Sequence, residues 1–177
     1  MNSRHHCFKF KKKIMNPSAK LSELMETLEF ESEEMVTRFD RQTGRMVSVD
    51  RHILGAFEEG EEDELGELPD WQEEQLEIAR AMAGDDGERF IAAPDKFDFH
   101  EYRHMERFIG TVESTPAAEE LWRAIKGKGA FRFFKDTARR LGLLDQWYRY
   151  RDAAVKEYVM GWAEVKQVTI EDDTEKS

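Results

Sequence analysis

A single cysteine, Cys7, stands in 177 residues. One thiol excludes an internal disulfide and a thiolate metal cluster within one chain, and it fits a reducing, cytoplasmic home. No run approaches the roughly 18 apolar residues of a membrane span. The basic start is not followed by the apolar stretch of about 7–15 residues that a secretory signal needs. The phosphate loop GxxxxGK(S/T) is absent, and no strand precedes Gly127 and Gly129 to make a nucleotide fold. No nucleophile elbow and no Ser-His-Asp order is visible, and Cys7 in a basic tract is a poor nucleophile. Internal repeats are lacking as well.

What is present is a folded domain's share of large apolar side chains, with 40% of residues hydrophobic and 12 Phe, 4 Tyr and 4 Trp among them. The charged fraction of 37% therefore describes a surface rather than a disordered chain. The length suits one domain. Arg4, Lys9, Lys11, Lys12 and Lys13 fall in residues 1–14 with no acid beside them, so the body is more acidic than the net charge of −11 suggests. Met15, followed by Asn16-Pro17-Ser18, reads as the natural start. The expected organisation is a basic, disordered N-terminal extension over 1–14, a single domain over 15–168 and an acidic C-terminal tail over 169–177. Residues 58–77 hold 11 acids and no base, a solvated linker and helix start.

Asn16 as N-cap and Pro17 at the first helical position open a helix with Leu21, Leu24, Met25 and Leu28 at helical spacing. Residues 35–40 and 45–49 are β-prone runs around Arg41-Gln42-Thr43-Gly44, a connection of hairpin length. A short helix over 51–57 and a longer one over 69–83 follow, then a third strand over 89–93 closed by Pro94. Helices are expected over 98–112, over 116–126 behind a Thr115 cap, and over 130–141. A last helix, 145–168, puts Tyr148, Val155, Tyr158, Val159, Trp162 and Val165 on one face. Three strands among about six helices cannot make a large parallel sheet. The expected fold is α+β: a small, mainly antiparallel sheet with one hairpin, covered by helices, and a helical C-terminal half.

Three constellations carry chemistry. His100-Glu101-Tyr102-Arg103-His104 matches the zinc-hydrolase pattern HExxH, in which His100 and His104 share a helix face and Glu101 activates a metal-bound water. The apolar face here is Tyr102, Met105, Phe108, Ile109 and Val112, which leaves both histidines on a polar flank, titrating near neutrality, and marks no third ligand. Second, nine bases lie between Leu121 and Arg151 against two acids. A buried stripe of Phe131, Phe134, Ala138 and Leu141 would turn Arg132, Lys135 and Arg139 to solvent. Lys126, Lys128 and Gly129 precede that ridge at a helix start, where free amides and the dipole suit an anion. The competing reading pairs these bases with the acids of 58–77, within the chain or across a homodimer, and makes Gly127 a simple helix cap. Third, Trp147 and Tyr150 lie between arginines near the edges of the last helix, where aromatics stack on rings or bases, or anchor a core.

These residues resemble the bacterial uncharacterised protein family 0158. The resemblance runs through Phe39-Asp40 to Thr43-Gly44, Phe90-Ile91 to Pro94-Asp95, and His100-Glu101-Tyr102 with Met105-Glu106 and Phe108. It continues through Gly127-Lys128-Gly129-Ala130-Phe131-Arg132 with Phe134-Lys135-Asp136, then Trp147-Tyr148, Arg151-Asp152 and Trp162. It implies a small bacterial cytoplasmic protein and transfers no activity, the family having none assigned. It does not require His104, which makes the zinc pattern fortuitous, and it often looks basic where this chain has Phe133. Residues 1–14 lie outside it.

The function best matched to these observations is a non-enzymatic binding or regulatory protein. It would hold an anionic partner, namely a phosphorylated ligand, a nucleic acid or an acidic protein surface, through Lys126, Lys128, Gly129, Arg132, Lys135 and Arg139. The alternatives are a metal-dependent hydrolase built on His100, Glu101 and His104, and a self-associating structural protein or homodimer. No cofactor and no membrane is implied.

Overall fold

The computed structural model describes residues 17–30, 32–66, 69 and 73–174. The basic extension, Met15, the Asn16 cap, the onset of the expected 69–83 helix at 70–72 and residues 175–177 lie outside them.

The fold is α+β. Met35–Asp40 (β2) and Arg45–Asp50 (β3) pair antiparallel, with Phe39 opposite Met46, and Phe90–Ala92 (β4) adds to the other side of β2 with Ile91 opposite Phe39. The strand order is β3-β2-β4. Gly44 closes the hairpin at φ +71, where a Cβ would come within 2.9 Å of the Ser18 carbonyl, so the turn needs glycine for both conformation and space. Asp40, only 2% exposed, shapes the same turn by accepting hydrogen bonds from the Gln42 amide and the Thr43 hydroxyl. Two further bonds of 2.9 Å come from Arg89. Burial alone would raise the Asp40 carboxyl, but these bonds and the adjacent guanidinium outweigh it and hold the group below its ordinary range.

Helices cover both faces of the sheet. On one face Phe39 and Ile91 meet Leu21 and Leu24 of Leu21–Glu26 (α1) and Val155 and Val159 of Leu144–Lys166 (α8). On the other, Val36, Val49 and Phe90 meet Ile53 and Leu54 of Arg51–Glu59 (α2) and Ala79 and Met82 of Glu73–Ala83 (α3). Glu62–Leu65 is a 3₁₀ turn between those helices. Lys96–Phe99 (α4), Glu101–Ile109 (α5), Thr115–Ala124 (α6) and Ala130–Arg140 (α7) follow β4. A second, wholly helical core joins Met105, Phe108, Leu121, Phe134, Ala138 and Trp147. Phe108, Phe134 and Trp147 meet edge to face there at centroid distances of 4.9–6.1 Å, contacts worth about 0.5–1.5 kcal/mol each beyond burial. α8 belongs to both cores and ties them together.

The structure departs from the sequence expectations at five places. Pro17 does not open α1. Instead Ala19–Lys20 (β1) pairs in parallel with Ile170–Glu171 (β5), and α1 begins at Leu21. Asp173 caps that helix from 151 residues away, accepting from the Ser22 amide at 3.0 Å and hydroxyl at 2.7 Å, so residues 169–174 are docked to the domain. The helix expected over 98–112 is two helices, broken at His100 with φ 50 and ψ 60. Ser114, not Thr115, is the residue before α6. Trp147 is fully buried and Tyr148 exposed, the reverse of the helical-wheel reading, and Phe131 and Val165 are exposed rather than inward.

Candidate anion-binding face

The basic segment is built around the turn between α6 and α7. Ile125, 1% exposed, anchors the turn in the helical core, and the Tyr102 hydroxyl donates to its carbonyl at 3.2 Å. Gly127 and Gly129 then take φ values of +86 and +80, left-handed conformations that L side chains rarely adopt. At Gly129 a Cβ would stand 3.0 Å from the Phe133 ring, so Phe133 folds back over the turn it follows. Gly127 lies two residues beyond Ile125, the cap residue of α6. No side chain caps the start of α7, which leaves its first amides without that kind of partner.

The six residues expected to bind an anion divide into three groups. Lys126 lines an open groove between α6 and α7 of about 490 Å³, with Arg123, Phe133, Thr137 and Arg140. Arg132, Lys135 and Arg139 occupy the outer side of α7, at the i, i+3, i+7 positions of one face. Lys128 and Gly129 lie in the turn, both exposed. Arg123, Arg139 and Arg140 are paired locally to Glu119, Asp136 and Glu120. Lys126, Lys128 and Lys135 have no ion pair among the described residues, and the Arg132 guanidinium lies over the Phe133 ring at 5.1 Å. No ion pair joins residues 58–77 to this segment among the described residues, where Arg123, Arg139 and Arg140 find their carboxylates within α6 and α7.

Trp147 does not reach this surface: it is fully buried, and its indole N–H has no partner among the described residues. Tyr150 stacks on it at 6.1 Å and 24°, so both aromatics belong to the helical core. The exposed rings of α6, α7 and α8 are Trp122, Phe131, Phe133 and Tyr148. Phe133, Arg123 and Arg140 are the groove residues that sequence reasoning left out. The signal for them was present in the i, i+4, i+7 spacing of Phe133, Thr137 and Arg140.

The HExxH residues are arranged as a brace. His100 sits at the helix break, outside regular geometry and exposed. Glu101 accepts from Arg151 Nε at 2.8 Å, and a second Arg151 nitrogen bonds Glu29. Arg151 is thereby held in its ionised form: burial opposes the charge, but the two carboxylates outweigh burial. His104 stacks on Phe99 with centroids 4.3 Å apart, and its buried Nδ1 has no hydrogen-bond partner among the described residues. Burial, with the positive charge of Arg107, holds it below the ordinary imidazole value. No cluster of three His, Cys, Asp or Glu side chains suited to a metal ion occurs among the described residues.

Fold and surface thus define a small α+β protein with a basic, aromatic-flanked helical face on an acidic body. Residues 15–176 match the Uncharacterised protein family (UPF0158), and the chain belongs to that family. A search of curated proteins and of solved structures returned no match. No helix among the described residues is long and apolar enough to cross a membrane.

Proposed function

We propose that this is a non-enzymatic binding protein of the bacterial cytoplasm that engages an anionic partner through the turn and outer side of α7. The observation that carries the reading is a set of solvent-facing cations with no carboxylate partner among the described residues, Lys126, Lys128 and Arg132, joined by half-buried Lys135. Exposed Phe131 and Phe133 flank them. Cations left unpaired keep their full attraction for an incoming anion, and Arg beside an aromatic ring offers both charge and a stacking surface. Phosphate-bearing partners suit this chemistry best, because uncapped amides at a helix start add to the same field.

The test is fluorescence anisotropy with labelled oligodeoxythymidine, with inorganic polyphosphate as competitor, on the native chain and on Arg132→Glu/Lys135→Glu. The reading expects salt-sensitive binding that weakens by at least about tenfold in the variant. Equal binding by both proteins rules it out. Self-association through the acids of 58–77 is tested by sedimentation, and a monomer at every salt concentration excludes it.

A further inference from the structure

A second surface, sharing no lining residue with the α6–α7 groove, lies at the edge of the sheet. The ladder between β2 and β4 stops at Arg38 opposite Ala92, so among the described residues no strand pairs with Met35–Thr37 on that edge. An open cleft of about 810 Å³ follows this edge. It is lined from one sheet face by Thr37 and Ser48, and from the other by Leu54, Gly55 and Glu58 of α2. The cleft therefore straddles an unpaired strand edge, the arrangement that accepts an added strand through main-chain hydrogen bonds.

The charge around it selects the occupant. Five carboxylates line the cleft against three cations. Four of the acids, Glu23, Glu26, Glu58 and Asp98, have no side-chain hydrogen bond or ion pair among the described residues, whereas the fifth, Asp95, caps the Phe97 amide. Of the cations, Arg38 donates to the Thr37 carbonyl and Arg51 to the Glu33 carbonyl, and Lys96 lies over the Phe97 ring at 5.4 Å. The bases are thus engaged with the protein while most of the acids face open space. We infer that the cleft takes an extended, lysine- or arginine-rich peptide segment of a partner protein, added as a short strand along Met35–Thr37. Its alternate basic side chains would reach the acids on either side.

The probe is a fluorescein-labelled decapeptide of alternating Lys and Thr, with the Glu–Thr decapeptide as control, titrated against the full chain. The Lys–Thr peptide is expected to bind and the Glu–Thr peptide not to. Methylating alternate backbone nitrogens of the Lys–Thr peptide should abolish binding, because strand addition needs those N–H groups. Glu26→Lys/Glu58→Lys/Asp98→Lys should weaken binding at least tenfold. Gly55→Phe, placed where a Cβ meets nothing within 4 Å, should do the same by filling the cleft while leaving every charge in place, so loss of fold in the triple variant would not leave the test undecided. Arg132→Glu/Lys135→Glu should leave this binding unchanged, which separates the two surfaces. Equal binding of the Lys–Thr and Glu–Thr peptides, no binding of either, or full affinity in both the triple variant and Gly55→Phe would overturn the inference.

Discussion

Arg151 Nε lies 2.8 Å from Glu101 Oε1, joining the middle of α8 to the first residue of α5. With Tyr102 bonded to the Ile125 carbonyl, consecutive residues of the His100-Glu101-Tyr102 segment hold the long helix on one side and the glycine turn on the other. The segment that looks like half a zinc site is therefore a bracket that positions the basic turn. The Arg151 side chain is 13% exposed, so removing it leaves Glu101 without its cation, and removing Glu101 leaves this partly desolvated guanidinium only Glu29. Arg151→Ala should destabilise by about 2–4 kcal/mol and Glu101→Gln by about 1–2 kcal/mol. A urea double-mutant cycle should show coupling between them, and simple additivity would contradict the brace.

Burial of the neighbouring pair Trp147 and Tyr148 makes an equally sharp contrast. Trp147→Ala empties the centre of the helical core and should cost about 3–5 kcal/mol. Tyr148→Ala, on an exposed position, should stay within about 0.5 kcal/mol. Denaturation midpoints check both, and comparable losses would mean that α8 is rotated from the orientation described.

His104 predicts a pH dependence of definite sign. Its folded value is held below the ordinary 6.5, so the folded state binds fewer protons than the unfolded chain. Stability from this group is complete above pH 6.5 and falls as pH drops from there towards the folded value. Glu101 and Glu157, which favour the charged form, and Arg107, which opposes it, are the charges that act on it. NMR titration of the His104 ring should give a midpoint below 6.5. His104→Phe, which keeps a ring against Phe99, should flatten the fall of the melting temperature as pH drops below 6.5. A midpoint above 6.5 would contradict the partial burial of this imidazole.

The hairpin was legible because β-prone runs on both sides of Arg41-Gln42-Thr43-Gly44 and a glycine for positive φ all agree. The α+β class followed from the few strands set among many helices, and the positions of α3 and α7 from apolar spacing. The β1–β5 pair was hidden because two-residue strands 151 positions apart leave no period to read, and their anchor, Asp173 on Ser22, is a contact between chain ends. The break at His100 occurs without Gly or Pro and so lacks the usual punctuation. Trp147 was misplaced because the stripe of Val155 and Val159, extended back two turns, reaches Tyr148. The first half of α8 packs on α5 and α7 instead of the sheet, and the buried side shifts by one residue. For the candidate face, the outward direction of Arg132 and Arg139 was readable from the helical period. Phe133 covering Gly129 was not, because it depends on the turn's left-handed backbone.

The central claim is that the α7 cations hold an anion in the cell. Native mass spectrometry of the protein purified from its own host, beside Arg132→Glu/Lys135→Glu prepared identically, tests it most directly. The account predicts an anionic adduct, of mass that identifies its class, on the native chain and its loss from the variant. A native chain without any adduct, or the same adduct on both proteins, would contradict it.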